Sequence, residues 1–164
     1  MLRSLEQQWR LIWIAADERA GTAALVARFL AGCRIDGRWY LGSGLTAATL
    51  THLTRGLGPS EALIVYGCEC LGPDSPVHRA LADGEVHVPQ GSSVYIIGRG
   101  EPPRVYEGAL TSGAMTVWSG QDLQHALYKV PGTLDHADRQ SEPRRPPTTA
   151  RRISGCNSWA ASVC

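Results

Sequence analysis

The residues in this chain best suited to chemistry are Cys68 and Cys70, one residue apart, with His78 and His87 downstream. Two thiolates and two imidazoles are the ligand types of a tetrahedral zinc site. Structural zinc sites, however, place about two to four residues between paired cysteines. A one-residue gap on a strand sends both side chains to one face without the tight turn that closes around a metal. The spacing therefore predicts two small core-facing residues at the end of a strand, and neither a metal nor another cofactor is expected. Catalysis by the same group would need a thiolate on Cys68 or Cys70, generated by His52, His78 or His87 and oriented by a third residue. Neither a Gly-x-Ser-x-Gly elbow nor a His-Glu-x-x-His helix accompanies them.

A second group is Gly42-Ser43-Gly44, between a predicted strand and a predicted helix. Glycines there let backbone amides approach an anion at the positive end of the helix. The group lacks the third glycine of a dinucleotide fingerprint and the Gly-Lys-Ser/Thr of a phosphate-binding loop, so a plain turn with Thr46 near the cap accounts for it. The loop from Gly98 to Pro103 reads as a strand connection. Arg139, Arg144, Arg145, Arg151 and Arg152 near the C-terminus could neutralise a few phosphates, making nucleic acid a secondary candidate partner. Asp135, Asp138 and Glu142 dilute that charge, and no aromatic residue precedes Trp159 to stack on bases.

These groups need elements to hold them. From Leu2 to Ala31 the apolar residues Leu5, Trp9, Ile12, Trp13 and Ala16, then Leu25, Val26, Phe29 and Leu30, recur at three- and four-residue steps, which predicts helices over 2–19 and 23–32, the second ending at Gly32. A short strand over 38–41, a helix over 45–57 and a nearly continuous apolar strand over 62–66 follow, the last suited to the centre of a sheet. A helical turn over 77–82 leads to four segments, 85–88, 93–97, 104–107 and 115–118, each bounded by Gly or Pro as the strands of an antiparallel meander would be. A helix over 121–130 closes the domain. The expected fold class is α+β, with N-terminal helices and one further helix on a largely antiparallel sheet of five to six short strands. Residues 1–130 form one domain in this reading; residues 131–164, polar and rich in proline and charge, form a disordered or loosely docked basic tail.

Composition narrows the function. The net charge is +1 with 19% charged residues, which gives no general attraction to polyanions. No stretch approaches the roughly 20 apolar residues of a membrane span, and the N-terminus lacks the apolar run of a secretion signal. A cytoplasmic location is expected, with Cys33, Cys68, Cys70, Cys156 and Cys164 reduced. The stretch from Ile14 to Leu30 resembles the opening helix of accessory proteins carried on conjugative plasmids and integrative elements. The resemblance implies an accessory protein of a mobile genetic element and carries no site. The expected function is a non-enzymatic binding or regulatory module whose partner is another protein, with Trp39, Tyr40, Tyr95, Tyr106 and Trp118 as interface candidates. Trp39 and Tyr40 are adjacent on one strand and must point to opposite faces. The alternatives are a small cysteine- and histidine-dependent hydrolase or transferase, or an anion- or nucleotide-binding protein using Gly42, Ser43 and Gly44.

Overall fold

The computed structural model describes residues 11–16 and 21–130. Leu11-Ile12-Trp13-Ile14 is buried at every position, and a run with no polar face belongs in the middle of a layered structure. It forms strand β1, Leu11–Ala16. Helix α1, Thr22–Cys33, follows, then β2, Asp36–Leu41, and α2, Ala47–Arg55. Next come β3, Glu61–Tyr66, and α3, Pro76–Ala82. The described elements end with β4, Ser93–Arg99, α4, Glu107–Thr111, β5, Met115–Ser119, and α5, Gly120–Lys129.

The five strands make one sheet in the order β2-β3-β4-β1-β5, and every neighbouring pair is parallel. This is an α/β fold, and it overturns the antiparallel meander of an α+β domain. Parallel neighbours need a crossover, and the crossovers here are short helices between strands. Two of the four meander segments are not strands. Residues 85–88 are irregular, with Val86 and Val88 buried, and residues 104–107 are a 3-10 turn running into α4. The helix expected over 2–19 is replaced by β1 in its described part; residues 2–10 and 17–19 of that expectation lie outside the described residues, as does the tail over 131–164. Helix α1 also continues through Gly32 to Cys33, and Arg34 takes the left-handed conformation (φ 58°) that ends it, its amide bonding back to Ala31.

Helices cover both faces of the sheet. On one face Leu11, Trp13, Leu63, Val65, Val94, Ile96 and Met115 pack against α2, α3 and α4. On the other, Ile12, Ile14, Ala62, Ile64, Tyr95 and Ile97 pack against α1 and α5. Polar side chains start three of the helices: Thr46 accepts from the Thr49 amide, Ser75 from the His78 amide, and Ser119 forms a reciprocal box with Asp122.

One close contact fixes the centre of the sheet. A Cβ placed on Gly98 in β4 would lie 2.2 Å from Cζ2 and 2.5 Å from Cη2 of Trp13, so the indole lies directly over the backbone of the neighbouring strand. Gly98→Ala is expected to cost about 1–3 kcal/mol in overpacking, read from urea denaturation. Gly44, whose Cβ would meet nothing within 4 Å, is the control; an equal loss in Gly44→Ala would show that the contact is not the cause.

Candidate functional site

In a doubly wound parallel sheet, a crevice opens where the chain leaves two adjacent strands toward opposite faces. Here those strands are β1 and β4. The chain after β1 enters α1 on one face, whereas the chain after β4 reaches the buried Tyr106 turn and α4 on the other. The carboxyl ends at this point are Ala16 of β1 and Gly98-Arg99 of β4. The indole of Trp13 reaches up beside them, its Nε1 donating to the carbonyl oxygen of Gly100 at 2.9 Å.

Beneath this end of the sheet lies a buried aromatic cluster. His78 Nδ1 and Tyr106 Oη share a hydrogen bond of 2.8 Å. The two rings meet edge to face with centroids 5.5 Å apart, and Trp13 lies 5.9 Å from Tyr106 and 6.2 Å from His78. Burial holds the His78 imidazole below its ordinary range and pushes the Tyr106 phenol above its own. A neutral imidazole and a neutral phenol, each satisfying the other, tie α3 to the turn before α4 without burying a charge.

Cys68 and Cys70 do not end a strand together. They sit on a 3-10 turn after β3, entered through Gly67 in the left-handed conformation (φ 68°). The turn leaves Cys68 buried and Cys70 exposed, so the shared face expected from strand spacing does not form. Cys68 Sγ lies 3.8 Å from the Val65 carbonyl oxygen, and burial, reinforced by Glu69 and Cys70, pushes its thiol up to about 12. An activated nucleophile is shifted the other way. His52 and His87 are exposed, and among the described residues no three of His, Cys, Asp and Glu gather in the way a metal ion requires.

The Gly42-Ser43-Gly44 group forms a 3-10 turn after β2. Gly42 is buried because its backbone passes the turn after β3: a Cβ there would lie 3.1 Å from the Gly67 carbonyl oxygen and 3.3 Å from Cys68 Cα. The glycine thus serves the packing of two loops. The amide of Thr49 in the first turn of α2 is already taken by the Thr46 hydroxyl at 3.1 Å.

Of the five aromatic candidates, Tyr95 and Tyr106 are in the core. Trp118 packs edge to face on Phe29 with centroids 5.5 Å apart, and Tyr40 is half-buried against the α2–α3 side. Trp39 is 37% exposed, and it is not alone: Leu41 is 48% and Tyr66 39% exposed. Trp39, Leu41 and Tyr66 lie on one face of the sheet, since Trp39 is in register with buried Ile64 and Leu41 with Tyr66. The rings of Trp39 and Tyr66 are 6.2 Å apart. Leu41 and Tyr66 were missed by sequence reasoning, because the signal that finds them, the parallel register of β2 on β3, is not printed in the residues themselves. No protein-family model matches the chain, and no curated protein matches it.

Two outcomes test this geometry. With the folded protein in an alkylating reagent at about pH 8, Cys70 is expected to be modified and Cys68 protected until urea is added, mapped by mass spectrometry; rapid native modification of Cys68 would restore the thiol-enzyme reading. The second concerns acid. Unfolded His78 takes its proton near about pH 6.5, whereas the folded site resists until lower pH, so the unfolded state binds more protons in between and stability falls as pH drops below about 6.5. Glu61 and Asp122, both shifted down by hydrogen bonds, lose their contribution only in the more acidic carboxylate range. Urea midpoints between about pH 5 and about pH 7.5 should therefore slope in the wild type and flatten in His78→Gln; an unchanged slope in the variant would place the effect elsewhere.

Proposed function

We propose that this domain is a non-enzymatic binding module whose partner is a protein that lays an extended, apolar-anchored segment along the outer edge of β2. The observation that carries this reading is the cluster of Trp39, Leu41 and Tyr66, exposed together where β2 has no strand on its far side among the described residues. A free edge offers unpaired amides and carbonyls for strand addition, and large side chains beside it supply the anchor pocket. Helix α1 covers β2 only at its start, where Leu30 Cδ1 would lie 3.1 Å from a Cβ on Gly37. The Trp39 indole lies beside that contact, its Nε1 3.2 Å from the same Cβ position, and the side chain still stays 37% exposed. The first half of β2 is held to its own sheet instead: Arg38 Nη2 lies 2.8 Å from both carboxylate oxygens of Glu61, and Glu61 Oε2 accepts from the Gly58 amide at 2.6 Å. Support also comes from what the cysteine and histidine groups lack, since the buried thiol is shifted away from reactivity.

Trp39→Ala is expected to weaken binding by about 2 kcal/mol, the scale of an aromatic hot spot, or roughly 30-fold in affinity. The melting temperature should stay near that of the wild type, because Trp39 is partly exposed already. The check is affinity capture from the native host followed by titration of the captured protein. Hydrogen exchange supplies the specific readout: the amides of 36–41 should gain protection in the complex. A partner that binds Trp39→Ala equally well, or that protects another surface, would sink the reading.

A further inference from the structure

The pairing of β2 with β3 fixes which of its main-chain groups face outward. The Asp36 amide donates to the Ser60 carbonyl oxygen at 3.0 Å, and Asp36 is in register with Glu61. In a parallel ladder a residue that donates to its neighbour also accepts from it, and the direction alternates along the strand. Asp36, Arg38 and Tyr40 therefore turn their amides and carbonyls toward β3, and Gly37, Trp39 and Leu41 turn theirs away. Every residue of β2 except Tyr40 is exposed, and no strand lies beyond it among the described residues.

These outward groups are self-complementary. In an antiparallel pair, two opposite residues whose main-chain groups face each other exchange both hydrogen bonds. A second β2 laid antiparallel with Trp39 opposite its own copy sets Gly37 opposite Leu41, so each outward amide and carbonyl of the three residues finds a partner. A shift of one residue sets outward groups against inward ones. An axis at Arg38 places two guanidiniums directly opposite each other, and like charges so placed repel. An axis at Tyr40 sets Gly37 against Ser43, which already lies in the 3-10 turn Gly42–Gly44. In the Trp39 register Arg38 stands opposite the uncharged Tyr40, and the large Leu41 meets a residue with no side chain.

We propose, resting on the strand-addition reading above, that the segment laid on β2 is the β2 strand of a second copy of this chain, paired antiparallel about a two-fold axis at Trp39. Two five-stranded sheets then become one. Because the axis is normal to the sheet, the exposed Trp39, Leu41 and Tyr66 of both copies join on one face. The pairing occupies the same edge in each copy, so it closes at two chains and does not grow into a fibre. One edge strand with three large side chains per copy is a small interface, and association is expected at roughly micromolar concentration.

The test is sedimentation equilibrium of the full chain from about 10 µM to about 500 µM, with amide exchange followed by NMR over the same range. The mass should rise from one chain to two, and the amides of Gly37, Trp39 and Leu41 should gain protection with it, far more than those of Asp36, Arg38 and Tyr40, already turned to β3. Leu41→Pro removes an outward amide without touching the β3 ladder, and φ at Leu41 is already −79°, within the range of proline. It should weaken association about 10-fold or more. Trp39→Lys, which sets two like charges at the axis, should stay a single chain throughout. A wild type that stays single at every concentration overturns the proposal, and the strand-addition reading then depends on whether a captured host protein protects 36–41. A dimer that both variants leave intact also overturns it, because it uses another face. Outward amides already protected in the single chain overturn both readings. If neither variant folds, the wild-type exchange decides: protection of the three outward amides that grows with concentration supports the proposal, and its absence overturns it.

Discussion

The need to bury β1 on both faces governs the rest of this molecule. Leu11, Ile12, Trp13 and Ile14 alternate sides of the sheet, and all four are removed from water. At roughly 1.5–3 kcal/mol for each fully buried large apolar side chain, no arrangement that leaves one face of this strand wet competes with one that covers both. That requirement puts β1 between β4 and β5 and demands helices above and below. The chain meets it by leaving β1 into α1 on one face and spending α2, α3 and α4 on the other. The point between β1 and β4 at which the chain leaves toward opposite faces therefore follows from covering β1.

Much of the element sequence is legible in the residues, and the topology is not. The helix over 23–32, the strand over 62–66 and the final helix correspond closely to α1, β3 and α5. The two helices carry an apolar period, and the strand is marked instead by its short length and its bounding turn residues. β1 misleads because Trp9, Ile12, Trp13 and Ala16 fall at three- and four-residue steps, the spacing of a helix face, while a short apolar run buried on both sides has no period of its own. The antiparallel reading fails for a related reason. Gly and Pro punctuation marks where segments end but not the direction in which they run. The crossovers that make the sheet parallel are short: α4 spans Glu107–Thr111, too little chain to show an apolar period.

The site divides in the same way. That Trp39 and Tyr40 face opposite sides follows from strand geometry alone, and the two do occupy different environments, one exposed and one half-buried against the core. The joining of Trp39 to Tyr66 depends on the register of β2 on β3, which no local pattern encodes. His78 and Tyr106, 28 residues apart and bonded in the core, are equally silent in sequence. Sequence reasoning assigns the two to different roles, and only α3 and the turn before α4 bring them together beside Trp13. The cysteine pair shows the converse. Its spacing looks informative, but the left-handed Gly67 turns the chain out of β3 and separates two residues that a strand would have aligned.

Edge strands of soluble sheets are ordinarily blunted by charge, proline or a bulge, because an open edge invites unwanted pairing. β2 follows that rule only in its first half. Asp36 and Arg38 are charged there, and Arg38 is drawn back onto Glu61 of its own sheet. Its second half, Trp39-Tyr40-Leu41, carries no charge and no proline, keeps an unbroken register with β3, and leaves two large apolar side chains in water. Among the described residues this edge is left unblunted beside exposed aromatic rings, the arrangement on which the proposed strand addition rests. Trp39, Leu41 and Tyr66 thus stand together at the outer strand, their joint exposure set by the parallel register of β2 on β3.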